Sequence, residues 1–270
     1  MEDWSLLDLT LRQFNFPTAD TYQGDKFHYV ISQIENGQDT DILNLANHLK
    51  IEMTLTESDL NPTFWREGYF KLFISHLSAD KVKANSLKDL LESFAISGFV
   101  AHTDIEPTKE WQDEIEVGLR TCDALLALLT PGFHESKWTD QEIGIVLGRD
   151  VLIIPAKLGE LPYGFIGKFQ AITEKEDASF AEEIFILLLK NKKTHRKMAN
   201  AIMGKFENSG SFNEARNNIE LVRKIEYWDE KLVDRLKNSK SNNSQIREAY
   251  WVPYIIDSIV EVYEKSKHAV

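Results

Sequence analysis

Between Tyr69 and Lys190 the chain alternates short runs that are apolar throughout with longer stretches whose apolar residues recur every three or four positions. These are the patterns of buried strands and of helices lying against them. The first run, Lys71 to Ser75, holds Leu72, Phe73 and Ile74, and the helical stretch Val82 to Ile96 follows with Leu87, Leu90, Leu91 and Phe94 on one face, stopped by Gly98. Phe99 and Val100 start a second strand, a polar loop runs from His102 to Glu110, and a helix from about Trp111 to Arg120 sets Trp111, Ile115 and Leu119 on one stripe. Ala124 to Leu129 reads as a third strand, buried on both faces and broken by Pro131 and Gly132. A helix from about Glu135 to Leu147, a strand from Val151 to Ile154, a loop from Pro155 to Gly167, a short strand from Phe169 to Ile172 and a helix from Asp177 to Lys190 complete the series. Strands alternating with helices at such intervals imply a five-stranded, mainly parallel sheet with helices on both faces, whose ligand chemistry belongs at the strand carboxyl ends.

The flanks follow other patterns. Residues 1–67 predict a small mixed α/β appendage, with Ile42, Leu45, Ala46 and Leu49 at helical spacing and Ile51 to Leu55 alternating like a strand. After Lys190, the segments Thr194 to Glu207, Phe212 to Lys237 and Gln245 to Lys265 read as helices, divided by Gly210 and the polar run Asn238 to Ser244. The middle helix carries the seam Ile219, Val222, Ile225, Trp228, Leu232 and Leu236, and the last carries Trp251, Ile255, Ile259 and Tyr263. Such seams are covered either by one another and the central domain or by an oligomeric contact. The expected organisation is an appendage over 1–67, an α/β domain over 68–190 and a C-terminal helical region over 191–270.

A formal net charge of -12 over 270 residues argues against a general nucleic-acid surface, which needs a concentrated basic face. The single cysteine, Cys122, precedes a buried strand and reads as a core thiol. It excludes an intrachain disulfide or a multi-cysteine metal site. No apolar run approaches the roughly 20 residues that cross a bilayer, and Met1 to Thr10 lacks the basic region of a secretory signal. A cytoplasmic location is the expectation, with no membrane partner.

Three polar segments could carry chemistry. Ser75 and His76 leave the first strand at its carboxyl end, where they could line a ligand pocket, while Ser78 or Asp80 could cap the next helix. The loop from His102 to Trp111, with Asp104, Pro107 and Lys109, lies on the same edge and could cover a ligand, contact another subunit or stay in solvent. Lys109 is a surface charge or a phosphate partner. In the segment Ser136 to Glu142, Trp138 and Glu142 are four apart, one helical turn. A carboxylate beside an indole can meet ribose hydroxyls against an apolar wall, although the same spacing fits a core tryptophan and a solvent-facing glutamate. His134 lacks partners at metal-ligand spacing and reads as solvent-exposed or loop-packing, so no metal site is expected. Motifs for classical dinucleotide binding, P-loop hydrolysis and zincin chemistry are missing.

Four segments in order, Lys71-Leu72-Phe73-Ile74-Ser75-His76 with Ser78-Ala79-Asp80, Glu106 to Glu116, Cys122 to Thr130, and Ser136 to Gly144, together resemble the bacterial branch of the Toll/interleukin-1 receptor (TIR) domain family. The resemblance implies a flavodoxin-like fold and, from many bacterial relatives, cleavage of NAD+ between nicotinamide and ribose to give ADP-ribose or a cyclic or rearranged product. It places the catalytic glutamate at Glu142 and a mobile loop at Pro107; the residue pattern adds Ser75, His76, Trp138 and Lys109 toward the substrate and Asp104, Pro107 and Trp111 as loop or assembly contacts. It also implies NAD+ as substrate rather than cofactor, assembly through the loop of a neighbouring subunit and, from some relatives, a role in antiphage defence or nucleotide signalling; the apolar C-terminal seams add a second route to homo-oligomers, and an upstream activator is a further expected partner. Other relatives are non-enzymatic assembly modules. The segment Glu106 to Lys109 lacks the glycine often present in the family's loop.

Overall fold

A computed structural model describes residues 4–19, 22, 24–35, 37–49, 64–100 and 109–267. The chain divides into two compact units, Met1–Pro62 and Thr63–Val270. In the first, helices α1 (Trp4–Gln13), α2 (Lys26–Ile34) and α3 (Asp39–His48) gather Leu11, Phe16, Tyr29 and Leu45 into a small core. Asp25 caps α2 by accepting from the His28 peptide N–H at 3.0 Å. The strand expected at Ile51 to Leu55 lies outside the described residues.

The second unit is built on β1 (Phe70–Ser75), β2 (Ile96–Val100), β3 (Ala124–Leu129), β4 (Leu152–Lys157) and β5 (Ile172–Thr173). All neighbours are parallel, in the spatial order β2-β1-β3-β4-β5. This is the doubly wound, flavodoxin-like order. Because strand side chains alternate between faces, each strand feeds two cores. Phe70, Leu72, Ile74, Leu126 and Leu128 face α4 (Lys81–Glu92) and α7 (Asp177–Lys190). Phe73, Phe99, Leu125, Leu129 and Ile153 face α5 (Lys109–Thr121) and α6 (Thr139–Gly148).

The chain continues through α8 (His195–Glu207), α9 (Phe212–Val222), α10 (Glu230–Asn242), the short α11 (Ser244–Arg247) and α12 (Val252–Lys267). Their buried residues Met198, Ile202, Phe206, Ile219, Val222, Leu232 and Leu236 belong to the same continuous core as Leu72 and Leu126 of the sheet. The middle seam read from the sequence is thus covered within the chain. Asp123 fastens this layer to the strands: its carboxylate accepts from the Lys71 peptide N–H at 2.9 Å and pairs with Lys197 of α8 at 2.7 Å.

Several boundaries differ from the sequence reading for local reasons. Helix α4 ends at Glu92, not near Ile96, and Ala95 takes φ 61° at the turn into β2. Gly98 is not a helix stop but lies inside β2, where a Cβ would come 3.0 Å from Lys88 of α4. Strand β4 runs through Pro155, which is tolerated because β5 first pairs one residue later, at Ala156. The fifth strand is Ile172–Thr173, slightly later than expected. The helix expected from Phe212 to Lys237 is two helices, because the Asp229 carboxylate accepts from the Leu232 N–H at 2.8 Å and starts α10 afresh. The Asn- and Ser-rich run expected as a separator is helical to Asn242.

Because α8 and the sheet share one core, Phe206→Ala is expected to lower stability by about 3–5 kcal/mol. Urea unfolding followed by far-ultraviolet circular dichroism and by tryptophan fluorescence should then shift together; separate transitions would mean that α8–α12 unfold independently.

Candidate active site

The carboxyl edge of the sheet is where the polar residues converge. In α6 the buried positions Thr139, Glu142, Ile143 and Val146 form one stripe at helical spacing. Glu142 therefore occupies a place on the helix's core-facing side, 6% exposed, among apolar neighbours. The helix starts where Ser136 Oγ accepts from the Thr139 N–H at 3.4 Å and the Thr139 hydroxyl donates to the Phe133 carbonyl at 2.7 Å.

Opposite it, Ser75 ends β1 with its side chain buried, and its hydroxyl donates to Glu142 Oε2 at 2.5 Å. Burial pushes the Glu142 carboxyl up to about 7, and the Ser75 hydrogen bond partly offsets that rise by stabilising the charged form. The two residues sit on β1 and on the helix after β3, so they flank the β1/β3 gap. This is the topological switch point of the 2-1-3-4-5 sheet, the place where such folds bind ligands.

The remaining sequence candidates sort themselves around this pair. His76 is buried beside Ser75, and its Nδ1 lies 3.0 Å from the Ile74 carbonyl, an acceptor. Nδ1 therefore donates to that carbonyl. Trp138 precedes Glu142 by one turn and remains 39% exposed at the start of α6, not in the core. Lys109 and Trp111 lie in the first turn of α5, with side chains outside the described residues, as are Asp104 and Pro107 entirely. Neither Ser78 nor Asp80 caps α4; instead the Asp80 carboxylate accepts from the Thr130 hydroxyl at 2.6 Å, linking the exits of β1 and β3.

Sequence reasoning missed a second group on this edge. Glu160, following β4, accepts from the Gly132 N–H at 2.8 Å and bonds His134 Nδ1 at 3.0 Å, while the Tyr163 hydroxyl donates to Asp140 at 2.5 Å. The left-handed φ of 89° at Gly132 turns that N–H toward Glu160. Position just beyond a strand's carboxyl end was the one signal for Glu160. Cys122 is buried, its thiol pushed up to about 11 by desolvation, which leaves it unreactive. No group of three or more His, Cys, Asp or Glu able to hold a metal occurs among the described residues. No described helix is long and apolar enough to cross a membrane. A cavity of about 710 Å³ opens at the opposite, amino end of β1, between Tyr69, Glu92, Lys205 and Asn218, remote from Glu142.

Fold order and edge chemistry thus define a flavodoxin-like α/β domain with a buried carboxylate at its switch point. The TIR domain family matches residues 72–188. Over 91 residues the chain is 24% identical to the probable 2' cyclic ADP-D-ribose synthase of Brachypodium distachyon, a match covering 33% of this chain and 41% of that protein. The match thus spans less than half the length of the plant protein. The TIR domain of a Toll-related receptor from Hydra magnipapillata aligns over 48% of this chain and 99% of its own, with 18% identity and a TM-score of 0.36. The matched segment has the flavodoxin-like, five-stranded parallel TIR fold, with helical extensions before and after it in the chain.

The raised Glu142 carboxyl has a consequence for stability. Between the ordinary value of 4.5 and about 7 the folded state holds a proton that the unfolded state has released, so stability falls as pH rises through this window. Glu142→Gln, which can still accept from Ser75, is expected to be more stable than the parent at pH 8 by about 3 kcal/mol. The difference should vanish toward pH 4.5 in urea titrations. A pH-independent difference would mean that burial does not perturb Glu142.

Proposed function

We propose that this TIR domain cleaves NAD+ between nicotinamide and ribose, releasing nicotinamide with ADP-ribose or a cyclic or rearranged ADP-ribose. The observation that carries this reading is the buried Glu142 carboxylate at the sheet's switch point, held by Ser75. Breaking the glycosidic bond develops positive, oxocarbenium-like charge on the ribose, and an ionised carboxylate in a low-dielectric cleft stabilises that charge far better than water does. Nicotinamide departs as a neutral molecule, so the leaving group needs no strong acid. In this scheme Glu142 meets the reacting ribose, Ser75 fixes the carboxylate and Trp138 forms the wall. His76 and Lys109 orient the substrate, Lys109 toward phosphate. The distant relation to a plant protein named for cyclic ADP-ribose synthesis supports the same substrate.

The setting we propose is antiphage defence or nucleotide signalling in a bacterial cytoplasm, by a homo-oligomer whose 102–110 loop completes a neighbouring site in response to an upstream activator. A second reading, a non-enzymatic interaction and assembly module, draws support from Tyr250, Trp251 and Tyr254, which stay 77%, 42% and 79% exposed around the start of α12.

Incubation with NAD+ at high protein concentration is expected to release nicotinamide, and Glu142→Gln to slow release by about 10²–10³-fold. Since the ionised carboxylate is the working form, kcat/KM should rise with pH through about 7. Equal turnover in both proteins removes Glu142 from the reaction. A concentration-dependent oligomer without NAD+ binding would select the assembly reading.

A further inference from the structure

Beside the α6 start lies a cavity of about 350 Å³ lined by His134, Glu160, Leu161 and Tyr163. Three of these four residues titrate, yet the accessible wall is almost wholly apolar. Hydrogen bonding explains the contradiction. His134 Nδ1 is taken by Glu160 at 3.0 Å, and Glu160 is itself anchored by the Gly132 N–H at 2.8 Å. The Tyr163 hydroxyl is spent on Asp140 at 2.5 Å. With those polar atoms tied up, the cavity meets ring surface: the His134 and Tyr163 rings stand at 71° with centroids 5.8 Å apart. Leu161 lines the same cavity at 67% exposure, and Phe165, two residues beyond Tyr163, is 79% exposed. Ring faces and an exposed leucine suit a flat heterocycle; phosphate would meet Glu160, Glu135 and Asp140, all close to His134.

The cavity's place in the fold says which heterocycle. It lies over the exits of β3 and β4, one strand along from the β1/β3 gap that holds Ser75 and Glu142. Asp140, which receives the Tyr163 hydroxyl, lies in the first turn of α6 on its exposed side, whereas Glu142 lies on the buried side of the same turn. Nicotinamide is bonded directly to the reacting ribose and must stay near Glu142. The adenine of the same molecule is a pyrophosphate and a second ribose away, so it alone can reach the neighbouring cavity.

The geometry points to the cavity between His134, Leu161 and Tyr163 as the subsite for the adenine ring of the dinucleotide, stacked on the Tyr163 face. This rests on the NAD+-cleaving reading for its substrate but on separate residues for its contacts. Stacking of a base on an aromatic side chain is sequence-tolerant and strong enough to set affinity. Glu160 beside His134 raises its pKa, favouring the charged form of a ring that lines the same cavity.

The test compares NAD+ with nicotinamide mononucleotide, which carries the scissile bond but lacks the adenylate half. For Tyr163→Ala, and for Leu161→Ser at an exposed position, kcat/KM is expected to fall about tenfold further for NAD+ than for the mononucleotide. Tyr163→Phe, which keeps the ring and loses the hydrogen bond to Asp140, should retain the parent's preference for NAD+. Equal losses for the two substrates, or a Tyr163→Phe loss as large as that of Tyr163→Ala, would overturn the assignment. Should the parent turn over neither substrate, the proposed function fails, and the subsite is then read by calorimetric titration with adenosine monophosphate. Saturable binding weakened by Leu161→Ser supports it, and no binding refutes it.

Discussion

A carboxylate placed on the apolar stripe of a helix is the constraint around which the domain is arranged. Glu142 shares its face of α6 with Thr139, Ile143 and Val146, and of these four only the glutamate brings an ionisable group into the interior. Its one side-chain hydrogen bond among the described residues is donated by Ser75. A single hydroxyl does not repay the desolvation of a carboxylate, and the group stays protonated to about neutrality. A core-packing residue would be more stable there. A buried carboxyl at the carboxyl end of a parallel sheet, where α/β folds bind ligands, is the feature on which the proposed chemistry rests.

Such a site needs rigid walls. Ser75 is the last residue of a central strand whose six positions are all buried, and β3 is equally enclosed. Behind the sheet, α8 to α12 join the α4 and α7 layer in one core, and the Asp123 to Lys197 pair pins α8 to the starts of β1 and β3. The C-terminal helices therefore serve the domain as part of its scaffold. Among their exposed side chains are the aromatics Tyr250, Trp251 and Tyr254.

The sheet was legible because burial on both faces leaves continuous apolar runs, and Leu72 to Ile74 and Ala124 to Leu129 admit little else. Boundaries were less legible. Gly98 resembles a helix stop until the close approach of Lys88 is seen, and the break before α10 depends on a cap at Asp229 that competes with an otherwise unbroken apolar seam. At the site, spacing put Trp138 and Glu142 one turn apart and the strand pattern put Ser75 at the sheet edge; the hydrogen bond joining them spans 67 residues and no local pattern encodes it. The His134, Glu160 and Tyr163 group escaped notice for the same reason, since His134 follows β3 while Glu160 and Tyr163 follow β4, and the pairing of those strands brings the two segments together.

The claim most exposed to experiment is that Glu142 waits in its cleft for a cationic substrate. Carboxyl-labelled protein observed by carbon-13 magnetic resonance can follow Glu142 directly, free and with an uncleavable carbocyclic analogue of NAD+. Free protein is expected to titrate near 7, and the pyridinium of the bound analogue should draw that midpoint down by favouring the ionised form. A midpoint in the ordinary carboxylate range, or one indifferent to the analogue, would contradict the account.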